Sequence, residues 1–227
     1  AYLLSTIPIA KANKKKLIIS SANVALQEQL LNKDIPETQK YCSVDFEYAL
    51  VKGRSRYVCI RNLVNLVEDN ASDNKLFDND LLWDSPPGKY QLDQLSDMLQ
   101  DYSNKKWNGE IDDLEQTPDH SLWPKVACNR FTCTAKSCEL YNDCAFFKAR
   151  KKITKADVII ANHDLILADL STGNTVLPDV EESIFIFDEA HHLSHKALSH
   201  FSLSTSIEFI KTSIRQTQGV SEQVCKI

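Results

Sequence analysis

The segment Ser183-Ile184-Phe185-Ile186-Phe187-Asp188-Glu189-Ala190-His191-His192 sets two adjacent carboxylates at the end of a short apolar run. The run mixes β-branched and aromatic side chains, the pattern of a strand buried in a parallel sheet. Both acids then fall at the strand's carboxyl end, where open α/β sheets bind ligands. Two carboxylates are costly at such an edge unless something cationic meets them. In a nucleotide hydrolase one acid positions Mg2+ and its neighbour polarises the attacking water. The plain alternative is a strand that ends in a solvated acidic turn.

Sulfur forms the second group. Cys133-x4-Cys138-x5-Cys144 is compact, with Cys128 five residues ahead and Cys59 far upstream. Seven cysteines are an odd number, and no secretory leader is read at the N-terminus, where the chain starts at Ala1. That combination argues against a disulfide framework and for a reducing, cytoplasmic setting. Structural zinc sites favour paired knuckles of closer spacing. A [4Fe–4S] cube takes four thiolates from several directions and tolerates irregular spacing. Soft thiolates suit either metal, and unligated buried cysteines remain a third reading.

The elements that must position these groups read as follows. Leu17-Ile18-Ile19-Ser20 and Ala156 to Ala161 are short apolar strands, like the run before Asp188. Helical patterns separate them, which predicts a parallel α/β sheet. Ser21, Ala22 and Asn23 follow the first strand and cap a helix that fades before Pro36. A helix N-terminus after a strand is a natural phosphate site, so Ser21 and Asn23 are candidate anion contacts. Asn162 and His163 read as satisfied structural polar residues. Residues 68–124 are polar and acidic, with weak helical periodicity in Leu92, Leu95 and Leu99 and a turn at Pro86-Pro87-Gly88. They read as an insertion of loops and short helices outside the sheet.

Hydrophobic residues make up 43% and charged residues 25% of the 227, with a net charge of -5. This is the composition of a soluble globular protein, and no apolar run approaches a membrane span. The charge is uneven. Glu68 to Asp119 carries 14 acidic and 4 basic residues, whereas Lys125 to Lys155 carries 8 basic and 2 acidic. Such asymmetry lets one face bind phosphate while another stays solvated.

Three features converge: the string Asp188-Glu189-Ala190-His191, the cysteine insertion, and the strand from Ala156 with Asn162-His163. Together they resemble the iron–sulfur superfamily 2 helicases of the XPD and DinG type, and most closely the DinG group. Ser21 to Gln29 is similar to that family's motif Ia. Gly53-Arg54-Ser55-Arg56-Tyr57-Val58-Cys59 looks like the loop bearing its first cluster cysteine. The resemblance implies an incomplete RecA-like parallel-sheet motor domain, interrupted by a mostly helical and loop iron–sulfur insertion. The implied segments are 1–57 and 153–194 for the motor domain, 58–152 for the insertion, and 195–227 for the start of a helical arch. It implies Cys59, Cys133, Cys138 and Cys144 as [4Fe–4S] ligands, which leaves Cys128 outside the set; Cys42 and Cys225 take no role. Asp188 would hold Mg2+, Glu189 would activate water, and His191 would couple ATP to DNA. Ser21 and Asn23 would meet the DNA backbone. Arg54, Arg56, Lys148, Arg150, Lys151 and Lys152 would line the path of single-stranded DNA, with Tyr57 and Phe131 available for stacking.

The implied activity is ATP-dependent 5′-to-3′ DNA unwinding, in repair or replication, by a monomer acting on single-stranded, forked or looped DNA without a membrane. The family's Gly-x-x-x-x-Gly-Lys-Thr loop is absent from this chain, as is a second motor domain. The chain therefore reads as a fragment that is inactive alone. The cluster could be a structural brace, a duplex-parting wedge or a redox sensor. Two other classes stay open: a non-catalytic, metal-stabilised module that binds single-stranded nucleic acid, and a structural zinc protein with a coincidental acidic string.

Overall fold

The computed structural model describes residues 2–71, 88–171 and 176–202, with Ile207, Ile214 and Thr217 beyond them. The turn at Pro86-Pro87, most of the helical pattern after Phe201, and Cys225 lie outside the described residues. The chain forms two compact units, Ala1–Val58 with Cys128–Phe201, and a second built over Cys59–Ala127.

The first unit is a four-stranded parallel sheet, in the order β2-β3-β1-β4. Its strands are β1 (Lys16–Ser21), β2 (Tyr48–Leu50), β3 (Val158–Asn162) and β4 (Ser183–Phe187). β1 is central because both its faces are apolar: Leu17, Ile18 and Ile19 are wholly buried. Alternation sends successive side chains to opposite faces. Leu17, Ile19, Val158 and Ile160 pack with Leu3, Ile7 and Ala10 of α1 (Tyr2–Ala12). Ile18, Ile159 and Ala161 pack on the other face with Ile153 of α7 (Ala145–Lys155) and Ile166 of α8 (His163–Ser171). The result is helix, sheet, helix, the layering that hides a parallel sheet on both sides. β4 sits at the edge and is half-buried along most of its length, less enclosed than its apolar sequence suggests.

The helix after β1 differs from the sequence expectation. It does not fade before Pro36. Its first part, α2 (Val24–Gln29), passes through a π-turn at Leu30–Asp34 into α3 (Ile35–Tyr41). Pro36 lacks an N–H and its ring crowds the turn before it. The wider turn, in which the Ile35 N–H reaches back to the Leu30 carbonyl, absorbs that crowding.

The second unit is helical among its described residues, in line with the expected non-sheet insertion. α4 (Ile60–Ala71) packs on α5 (Lys89–Ser103) and on α6 (Trp123–Val126). Leu63, Leu66, Leu95, Met98, Leu122 and Val126 are buried there. Trp107 meets Tyr102 and Trp123 edge-on at 6.0 and 6.4 Å. No helix among the described residues is long and apolar enough to cross a membrane. We expect Ile159→Ala, at the closed centre of β3, to remove about 3 kcal/mol of unfolding free energy in a urea titration. Leu4→Ala, on the 45% exposed side of α1, is expected to remove less than about 1 kcal/mol.

Candidate functional site

The paired acids stand where the sheet ends. β4 runs parallel to β1 with Phe187 opposite Ser20, and the Asp188 N–H extends that ladder by donating to the Ser20 carbonyl at 2.8 Å. The chain then turns sharply. Glu189 takes the left-handed conformation, φ 55° and ψ 42°, which disfavours an L side chain by about 1–2 kcal/mol. A short 3-10 turn, Ala190–His192, leads into α9 (Leu193–Phe201). Asp188 is half-buried and Glu189 is exposed. His191 Nδ1 lies 3.2 Å from Glu189 Oε2, both exposed, and its ring lies tilted against that of His192, with centroids 4.0 Å apart.

Two side chains bear on this turn: Tyr2, to which sequence reasoning gave no role, and His163, which it read as a satisfied structural polar residue. Tyr2, at the start of α1, has its phenol pushed up to about 12 by burial and then by the Asp188 and Asp34 carboxylates. The hydroxyl is close enough to feel Asp188, yet it makes no well-formed hydrogen bond. His163 opens α8 fully buried, with Nδ1 2.5 Å from Ser20 Oγ. Burial holds its pKa below the ordinary value, against the pull of the Glu189 and Asp188 backbone carbonyls. Polar residues close to the ends of two apolar strands, Ser20 inside β1 and His163 just past β3, were the available signal.

The loop after β1 divides its candidates. Asn23 is the helix cap: its Oδ1 accepts from the Leu26 N–H at 3.0 Å, and its side chain is exposed. Ser21 is fully buried, and its hydroxyl donates to the Asn23 carbonyl at 3.0 Å. It shapes the loop from within. Asn162 caps α8, accepting from the Leu165 N–H at 2.7 Å.

The basic candidates fall into two kinds. Arg54 and Arg150 place their guanidinium carbons 4.2 and 4.7 Å from the Phe146 ring centroid. Arg150 is held down to about 10, first by burial and also by Arg54, although Tyr57 and Asp169 pull it upward. Its Nη1 is buried without a hydrogen-bond partner. Tyr57 is 3% exposed and packs edge-on against Phe146 at 5.8 Å. This overturns its expected availability for stacking, because the ring is already core. Phe131 is 81% exposed, with Arg130 over its face at 4.8 Å. Arg56, Lys148, Lys151 and Lys152 are exposed; Lys148 pairs with Asp143 at 3.4 Å and Lys151 lies 6.0 Å from the Tyr141 ring.

Cys133, Cys138 and Cys144 lie on a succession of tight turns, each half-buried, while no residue from Asn129 to Asp143 is fully buried. Cys144 stands at the N-cap of α7. Its thiol is lowered to about 6 by the neighbouring Cys128 thiol, then by the Phe147 and Phe146 N–H groups and Arg54, against burial. Cys128 is buried and donates to the Val58 carbonyl at 3.3 Å. Cys59, in the second unit, opens α4; its N–H donates to Val126 O at 2.6 Å. Among the described residues, no three or more Cys, His, Asp or Glu side chains gather closely enough to hold a metal ion.

The Tyr2 phenol carries a pH signature. Its folded value lies above the usual 10, at about 12. The protonated phenol therefore stabilises the fold fully below pH 10, and that contribution is lost as pH rises through 12. Wild-type stability is expected to fall more steeply than that of Tyr2→Phe between those values in denaturant titrations. Equal slopes would place Tyr2 elsewhere.

The DEAD_2 family pattern matches residues 90–210, more than half of the chain. The ATP-dependent DNA helicase DinG of Photobacterium profundum is 40% identical over 223 residues, covering 96% of this chain and 31% of the relative. The protein of the same name in Escherichia coli K12 is 34% identical over 209 residues, or 91% of this chain and 29% of the relative. That of Salmonella typhimurium is 33% identical over 210 residues, with 91% and 29% covered. The chain thus spans about 30% of the length of these curated relatives. With the acidic turn and the helix after it inside the matched stretch, the chain belongs to the DEAD_2 family.

Proposed function

We propose that this chain is part of the first motor domain of an ATP-dependent DNA helicase of the DinG type. The observation that carries the reading is the position of Asp188 and Glu189, one rung past β4 at the carboxyl edge of a parallel sheet. Hard carboxylate oxygen suits Mg2+. Asp188 is the residue that would hold it, and the ion when bound would offset phosphate charge. Glu189 accepts the proton of the water that attacks ATP, a role open to it because its carboxylate is exposed. His191, 3.2 Å from that carboxylate, couples the nucleotide to DNA. The chain carries no Gly-x-x-x-x-Gly-Lys-Thr loop, so by itself it binds ATP weakly and does not turn it over.

DNA is the second ligand of this reading. Ser21 shapes, and Asn23 presents, the loop that meets the phosphate backbone. Arg54, Arg56, Lys148, Arg150, Lys151 and Lys152 line the strand's path, and exposed Phe131 supplies a stacking face. Translocation runs 5′ to 3′ along single-stranded DNA, opening forked or looped substrates, by a monomer in the cytoplasm. The homologues' names support DNA and ATP as ligands.

Cys133, Cys138 and Cys144 hold a [4Fe–4S] cluster, with Cys59 as the fourth thiolate by its sequence match. The donor chemistry suits it, soft thiolates on a segment whose other residues bury too little to fix the turns, although among the described residues no three such side chains converge. The cluster would supply the brace that this segment lacks. Segments 1–57 and 153–194 then belong to the motor, 58–152 to the insertion, and 195–227 to the arch.

In the complete protein, Glu189→Gln is expected to lower kcat for DNA-stimulated ATP hydrolysis about 10²- to 10⁴-fold while ATP still binds. A Glu189→Gln enzyme with wild-type turnover contradicts the reading. Cys133→Ser is expected to remove the brown absorbance and the bound iron, and to lower Tm. Unchanged iron and Tm in that variant would rule the cluster out.

A further inference from the structure

One residue before its end, β1 carries a polar side chain that solvent does not reach. Ser20 and His163 are both fully buried, and Ser20 Oγ lies 2.5 Å from His163 Nδ1. The Ser20 carbonyl takes the Asp188 N–H at 2.8 Å. One residue of β1 therefore ties to the acidic turn through its backbone and to the start of α8 through its side chain. The imidazole is fixed around this contact: Phe187 lies 6.0 Å away, Asn162 caps the helix at Leu165, and Lys196 of α9 pairs with Asp164 at 2.5 Å.

His163 Nε2 is enclosed and has no hydrogen-bond partner at good geometry. The backbone carbonyls of Glu189 and Asp188 lie beside the ring, and the Lys196 ammonium and Asp164 carboxylate also act on it. A neutral imidazole has one N–H and one lone pair. A lone pair turned on carbonyl oxygens is repelled; an N–H turned on them is attracted. Ser20 accommodates that arrangement, since its hydroxyl can donate to Nδ1 and leave the ring proton on Nε2.

We propose that His163 is the Nε2–H tautomer and a positioning residue for the acidic turn: Nδ1 accepts the Ser20 hydroxyl, and Nε2–H, aimed at the Asp188 and Glu189 carbonyls, holds the left-handed backbone that sets the two carboxylates. The proposal rests on the hydrolase reading of that turn.

Nitrogen-15 NMR of the imidazoles in this chain is expected to show His163 protonated at Nε2, with Nδ1 as the acceptor. A proton on Nδ1 overturns the tautomer and the positioning role, whatever the turn does. In the complete protein, His163→Phe fills the space and removes both contacts. Its kcat for DNA-stimulated ATP hydrolysis is expected to fall about tenfold to a hundredfold, with KM for ATP unchanged to within about threefold. His163→Gln returns an N–H donor and is expected to recover most of that loss. A His163→Phe enzyme as fast as wild type, or a His163→Gln enzyme as slow as His163→Phe, overturns the proposal alone. A wild-type protein that hydrolyses no ATP overturns the hydrolase reading, and the positioning role falls with it.

Discussion

One rung of a parallel ladder decides where chemistry can occur in this chain. The Asp188 N–H binds the Ser20 carbonyl at 2.8 Å, so the first acid is still part of the sheet and the second begins the turn away from it. β1 lies between β3 and β4. Its carboxyl end therefore gathers three chain reversals: the Ser21–Asn23 loop, the Asn162–His163 step and the Asp188–Glu189 turn. Each leaves a strand whose apolar residues are held from both faces by helices. Parallel strands compel this, since all carboxyl ends point the same way and every connection must cross back over a face.

The energetics separate scaffold from site. The sheet interior is aliphatic and wholly enclosed, while unfavourable features collect around the acidic turn and the cysteine segment. Glu189 holds a disfavoured backbone conformation. Tyr2 keeps a buried hydroxyl beside a carboxylate. Arg54 and Arg150 share one aromatic ring, and one guanidinium nitrogen of Arg150 is unmatched. Like charges near one ring are tolerated when its negative π-faces draw both. Local strain and unmatched polarity of this kind concentrate at functional sites.

Much of this was legible in the sequence where a single local pattern decides the outcome. β1, β3 and β4 were read from continuous apolar runs, and the acids' place at the sheet edge followed from the abrupt end of Ile184 to Phe187. β2 was not, because Tyr48-Ala49-Leu50 is too short to show a period and pairs only with β3. The π-turn before Pro36 was missed because proline normally ends a helix, and only packing of Leu30 and Ile35 in the core keeps this one going. Tyr57 was misread as a free platform because nothing local shows that Phe146, far along the chain, covers it. His163 was read only as a structural polar residue for the same reason. Its partner, Ser20, is 143 residues away, and only the parallel register brings them together.

The most direct test of the central claim is a structure of the complete protein with Mg2+ and a non-hydrolysable ATP analogue. The account predicts the metal on the Asp188 carboxylate, and a water between Glu189 and the terminal phosphate. Nucleotide and metal bound away from the carboxyl edge of β1 and β4, with Asp188 and Glu189 facing only solvent, would contradict it.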